Sequence, residues 1–188
     1  MVFLKEEEVE PLCELDIKAL KDKFEKLAGD GKTHLAFLPS FTQMAWHFAR
    51  DKYVAKVMTG RDVVNRGAKT KDGKAWLYWD HDLREQKLKL LRVVTNSEDG
   101  FEKQKADVKA LLLAALEEAN DWQLPKVLVW NPPRAVTDAA IDLWYRPRAS
   151  VQITLDERHD GSIPSLRWKE GKDLSGVVWE ESEYFEWC

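Results

Sequence analysis

Between Pro11 and Leu27 apolar side chains recur at Leu12, Leu15, Leu20, Phe24 and Leu27, with lysines and acids between them, and Gly29 and Gly31 end the pattern. That spacing predicts an amphipathic surface helix. Ahead of it, residues 1–9 are expected to form a short strand with an acidic end at Glu6, Glu7 and Glu8. A short apolar run over residues 34–39 closes on Pro39. Ser40 then stands three residues before Gln43, the spacing of a capping box, so a second helix is expected over about residues 41–58, ending before Gly60. Residues 63–70 and 75–83 read as two strands joined by a tight turn at Asp72-Gly73, and residues 87–95, rich in Leu and Val, as a central strand.

A long helix is predicted over residues 101–122, with Val108, Leu111, Leu112, Ala115, Leu116 and Ala119 as its buried stripe, broken at Leu124-Pro125. Residues 127–130 form a buried strand that ends at Asn131-Pro132-Pro133. A short helix capped by Thr137 should then run to Trp144, followed by strands at 151–155 and 177–179. The order of strand, long helix and strand in the middle implies a parallel crossover inside an otherwise antiparallel sheet. Without repeats, low-complexity tracts or linkers, residues 1–188 are expected to be one α/β domain.

Charge and composition narrow the chemistry. The chain has 188 residues, 29 basic and 33 acidic, for a formal net charge of −4, which disfavours binding to nucleic acid. No apolar run approaches the length needed to span a bilayer, so a soluble, cytoplasmic protein is expected. Cys13 and Cys188 form neither a disulfide framework nor a metal motif, and no metal is expected. Nine tryptophans are many for this length, and imply an aromatic core or an aromatic-walled cavity.

Five segments carry a resemblance: Trp46-His47-Phe48-Ala49-Arg50, Leu90-Leu91-Arg92-Val93-Val94, Val129-Trp130-Asn131-Pro132, Ser162-Ile163-Pro164-Ser165-Leu166-Arg167-Trp168, and Glu183-Tyr184-Phe185-Glu186-Trp187-Cys188. In this order they resemble the C-terminal half of the fungal LYC1-like lysine N-acetyltransferases, which have the GCN5-related N-acetyltransferase (GNAT) fold: a mixed sheet flanked by helices. The resemblance implies acetyl transfer from acetyl-CoA to the side-chain amine of lysine or another small amine, in a cytoplasmic protein of two such halves. In that family the Gly-rich pyrophosphate loop lies in the N-terminal half. Here the matching stretch, residues 95–102, has one glycine, Gly100, and three carboxylates, Glu98, Asp99 and Glu102, where phosphates would sit. The domain alone is therefore expected not to bind CoA in the usual way and to use acetyl-CoA only when paired with an N-terminal half; that half or a second copy of the chain is the expected protein partner.

Several residue groups are candidate site residues. His47 and Arg50, beside Trp46, share a helix face and either contact a ligand carboxylate or leaving group or form a surface pair. On one strand Trp76, Tyr78 and Asp80 face one way and Leu77, Trp79 and His81 the other. The strand is then buried on both faces, or buried on one with Trp76 and Tyr78 as candidate pocket walls on the other, and Asp80 and His81 are a candidate acid–base pair or a solvated turn. Arg92, in an apolar strand, needs either a ligand carboxylate, with Asn131 and Trp130 at the adjacent crevice, or a buried partner such as Glu157 or another acid. The apolar chain end should tuck inward and carry the carboxylate of Cys188 with it. The tandem N-myristoyltransferases use such a terminal carboxylate as base, which implies the same role for Cys188; the alternative is an aromatic strand completing the core. Two further readings are a CoA-independent enzyme acting on a small metabolite through a Trp-lined pocket, and a non-catalytic ligand- or protein-binding module.

Overall fold

In chain order the elements are β1 (Val2–Leu4), a 3-10 turn (Glu6–Glu8), α1 (Val9–Leu27), β2 (Thr33–Leu35), α2 (Phe41–Thr59), β3 (Gly67–Lys69), β4 (Trp76–Asp82), β5 (Lys87–Val94), α3 (Phe101–Asp121), β6 (Lys126–Val129), α4 (Arg134–Trp144), β7 (Val177–Trp179) and a final 3-10 turn (Tyr184–Glu186). The computed structural model describes residues 1–27, 29–145, 151–157, 165–167 and 176–187. The main sheet has the order β1-β3-β4-β5-β6. Its pairs are antiparallel except β5 with β6, which run parallel across the α3 crossover, as the order of elements requires. This is a mixed α/β sheet flanked by helices, consistent with the expected GNAT-like fold.

Every residue of β4 is buried, because both sheet faces are covered. On one face Leu77, Trp79, Leu88 and Leu90 pack with Val108, Leu111 and Ala115 of α3 and Ala139 of α4. On the other, Tyr78 and Leu91 pack with Cys13 of α1, with Met44 and Phe48 of α2, and with Phe185 of the last turn. Burial of such side chains stabilises by about 1.5–3 kcal/mol each before entropy is counted.

A bulge disturbs the central pair. Tyr78 is opposite Arg92 but Trp79 is opposite Leu90, which leaves Leu91 as an extra residue. A bulge shifts the side-chain alternation by one. Leu91 and Arg92 therefore both face α1 and the chain end, where Arg92 meets Asp16. In β3, between β1 and β4, Gly67 is obligatory: a Cβ there would stand 2.1 Å from the Leu77 carbonyl oxygen.

Three expectations differ. Residues 151–155 join no ladder and the segment is irregular, with Thr154 and Leu155 exposed. The fourth helix starts at Arg134 behind Pro133, not at Thr137. The short apolar run near residue 34 is a strand that pairs in parallel with the last one, Thr33 to Val177 and Leu35 to Trp179, forming a second small sheet. No helix among the described residues is long and apolar enough to cross a membrane.

Candidate functional site at the open end of the parallel pair

Pairing of β5 with β6 ends at Leu90–Val129, while β5 continues to Val94. Parallel strands that part in this way leave a crevice at their carboxyl ends, the usual ligand position in open α/β sheets. The chain's own last segment lies in it. Glu183 accepts a hydrogen bond from the Val93 backbone N–H at 2.8 Å, and Asn131 Nδ2 donates to the Ser182 carbonyl at 2.5 Å. Asn131 holds a left-handed conformation, φ 44°, where the chain turns out of β6.

Arg92 anchors the arrangement. Its Nε–H and Nη2–H donate to the two oxygens of Asp16 at 2.8 Å each, Nη1–H to Glu183 at 2.6 Å and Nη2–H to Glu181 at 2.5 Å. Arg92 is buried and fully engaged, so it is not the expected receptor for a ligand carboxylate; its partners are Asp16, Glu181 and Glu183, and exposed Glu157 is not among them. Crowding of three carboxylates on one guanidinium has a consequence. Burial, with Asp16 and Glu181 adding to it against the pull of Arg92, pushes the Glu183 carboxyl up to about 7.

Beside this lies an aromatic and ionic cluster. His47 of α2 places Nδ1 3.2 Å from Asp80 Oδ2 and Nε2 3.4 Å from the Phe185 carbonyl. Arg50, one turn on, reaches Asp80 and Asp82 at 3.8 and 3.6 Å. Lys89, directly across the ladder from Asp80, pairs with Asp82 and lies 4.9 Å over the Tyr184 ring. Burial alone would push the Lys89 ammonium down, but Asp82 and Asp80 outweigh it and hold it above its ordinary value. Asp80 is fully buried, and its Oδ1 has no partner. Trp46 meets His47 edge-on at 5.2 Å with Arg50 over its ring, and Trp130 packs on Tyr184 at 4.3 Å and on Trp187 at 5.4 Å. The structure thus brings together Trp46, His47, Arg50, Asp80, Trp130 and Asn131 around the last turn.

Other candidates lie elsewhere. Trp76 and Tyr78 are core side chains, not pocket walls, because the chain end and α1 cover that face. His81 does not join Asp80. It points the other way, with Nδ1 3.1 Å from Asp51 and Nε2 3.0 Å from Glu118, both buried, while Asp51 also binds Arg66 and Glu118 also binds Asn65 and Trp122. That is an enclosed structural network without access for a substrate. Cys188 lies outside the described residues, as does most of the Ser162–Trp168 segment. Glu186, which no pattern in the sequence singles out, sits on the last turn. Burial pushes its carboxyl up to about 7, Ser182 Oγ donates to one oxygen, and the other oxygen is buried without a partner.

On the α3 side of the crevice, Val93, Phe101, Gln104, Val108, Arg134 and Val136 line a groove of about 230 Å³ between the heads of α3 and α4. A CoA pyrophosphate would have to sit at these helix ends, and the residues fit it poorly. Glu102 occupies the first turn of α3, Asp99 precedes it, and Pro133 at the head of α4 has no N–H to offer. Arg134 is the cation at this groove, and it is turned onto Phe101 and Asp138.

A family model described as the LYC1 GNAT-like C-terminal domain matches residues 1–188. The chain belongs to this family. A curated relative of the LYC1-like domain, the lysine acetyltransferase of Yarrowia lipolytica (strain CLIB 122 / E 150), is 27% identical over 191 residues, covering 99% of this chain and 47% of that protein. The chain therefore spans about half the length of the curated relative it matches. No solved structure matches this LYC1-like chain.

Proposed function

We propose that this LYC1-like domain is the acceptor-side half of an N-acetyltransferase for lysine or another small amine, with the acyl donor held by a companion half. The observation that carries the reading is the occupied crevice: Ser182 and Glu183 stand where a ligand of this sheet would enter, and acid heads the helix where phosphates would dock. The yeast lysine acetyltransferase, twice as long, supports the pairing with a second half.

In this reading the domain's own groups bind and deprotonate the amine. Faces of Trp130, Tyr184 and Trp187 suit an alkylammonium, which gains about 0.5–2 kcal/mol over an aromatic ring. Glu186, with a carboxyl poised near neutrality and one unpaired oxygen, is the group suited to take the amine proton. His47, bonded to Asp80 and to the Phe185 carbonyl, holds the turn that carries Glu186 and orients it. Calorimetric titration of the chain tests this. Lysine or a small primary amine is expected to bind and acetyl-CoA to give no heat; micromolar binding of acetyl-CoA with no binding of amines would overturn it.

A further inference from the structure

The last segment of the chain occupies the crevice as a ligand occupies a receptor, and the receptor is complete without it. Arg92 already has a two-point partner of its own in Asp16, with both groups buried. Neither Glu181 nor Glu183 is needed to neutralise it. Phe185 packs into a core cluster whose other members include Leu4, Met44, Phe48, Trp76, Tyr78 and Leu91, from β1, α2, β4 and β5. Past Leu90 the edge of β5 that faces β6 has no strand beside it among the described residues, and the Val93 N–H is met by a side-chain carboxylate.

What the segment brings is a compact recognition pattern. An acid at Glu181 and another at Glu183 reach Arg92, a backbone carbonyl at Ser182 reaches Asn131, and aromatic rings at Tyr184, Phe185 and Trp187 enter or cover apolar walls. Buried aromatic anchors flanked by charge-assisted hydrogen bonds are the features that dominate affinity in peptide recognition.

We infer that the crevice between β5 and β6 is a preformed receptor for an acidic-aromatic peptide, and that residues 180–187 are its resident ligand bound in cis. Held by its tether at a local concentration in the millimolar range, the resident segment excludes any free ligand of the same kind. The inference holds whether or not the domain takes part in acetyl transfer.

The test removes the segment's acids and leaves the receptor untouched, by the double substitution E181A and E183A in the full chain. Hydrogen exchange is read by mass spectrometry, and a synthetic peptide spanning residues 180–187 is titrated into variant and parent. In the variant, amides of 177–187 and of Val93 are expected to exchange about 100-fold faster, with Leu77 and Leu90 unchanged. The peptide is expected to bind the variant at micromolar strength and the parent not at all. Unaltered exchange of the segment, loss of protection throughout β4 and β5, failure of the peptide to bind the released variant, or equal binding to the parent would each overturn the inference.

Discussion

Arg92 and Asp16 form a two-point ion pair between β5 and α1, Nε to Oδ2 and Nη2 to Oδ1, both at 2.8 Å, with each side chain almost wholly buried. Removing one member of a buried pair leaves the other uncompensated, at a cost of about 3–5 kcal/mol. Asp16→Asn should lie below that range, at about 2 kcal/mol, because Glu181 and Glu183 still face the guanidinium. Arg92→Met leaves three carboxylates crowded without a cation and should lie at its upper end. Urea unfolding of the two variants checks the order, and equal losses would contradict it.

His81 lies between Asp51 and Glu118. Burial would push the imidazole down, but the hydrogen bonds that its ring N–H groups donate to both carboxylates outweigh it, so the folded-state pKa is raised. A group raised on folding contributes stability that is fully present below its unfolded value, about 6.5, and is lost as pH rises through the folded value. Urea midpoints of the parent should therefore fall between pH 6.5 and more alkaline pH. The slope should be smaller in His81→Gln.

Glu183 titrates in the same direction for another reason. Its carboxyl moves from 4.5 unfolded to about 7 folded, so it binds its proton more tightly in the fold, and stability declines as pH rises from 4.5 to 7. Glu183→Gln keeps an acceptor for the Val93 N–H and removes the charge. At pH 8 it should match or exceed the parent in thermal stability, and at pH 4.5 lose the advantage.

Gly67→Ala drives a methyl into the Leu77 carbonyl at 2.1 Å, where neither backbone can yield without breaking the β3–β4 ladder. A loss of about 3 kcal/mol, at the upper end of overpacking costs, is expected in chemical denaturation.

Glu186→Gln tests the proposed base. In the protein assayed with its companion half, amine acetylation should fall by about 10²-fold or more, and the limb of the pH profile near 7 should disappear. A parallel profile with an unshifted limb would remove Glu186 from the chemistry.

Local pattern carried much of the architecture. The spacing of Leu12, Leu20 and Phe24, and the apolar stripe of residues 108–119, placed α1 and α3 within a few residues, and the element order alone required the parallel step from β5 to β6. The site was less legible because its geometry depends on non-local events. The bulge at Leu91 decides which way Arg92 points, and nothing in Leu90-Leu91-Arg92 announces it. Asp16 is one acid among several on an amphipathic helix, and only its meeting with Arg92 sets it apart. Trp76 and Trp130 look alike in sequence. One lies under a covered face and the other at the rim, and burial is settled by α1 and the chain end, far away along the polypeptide. Glu186 is not legible in the sequence because its raised carboxyl comes from burial, which is set by how the last turn packs.

The small parallel sheet of β2 and β7 bears on how the molecule is made. Thr33 to Leu35 are made well before Val177 to Trp179, so their pairing cannot form until all of the chain between them has been synthesised. Until the segment that carries Phe185 has also been made, the apolar side chains that will enclose that ring stay open to water, an adhesive patch that only a contact distant in sequence can cover.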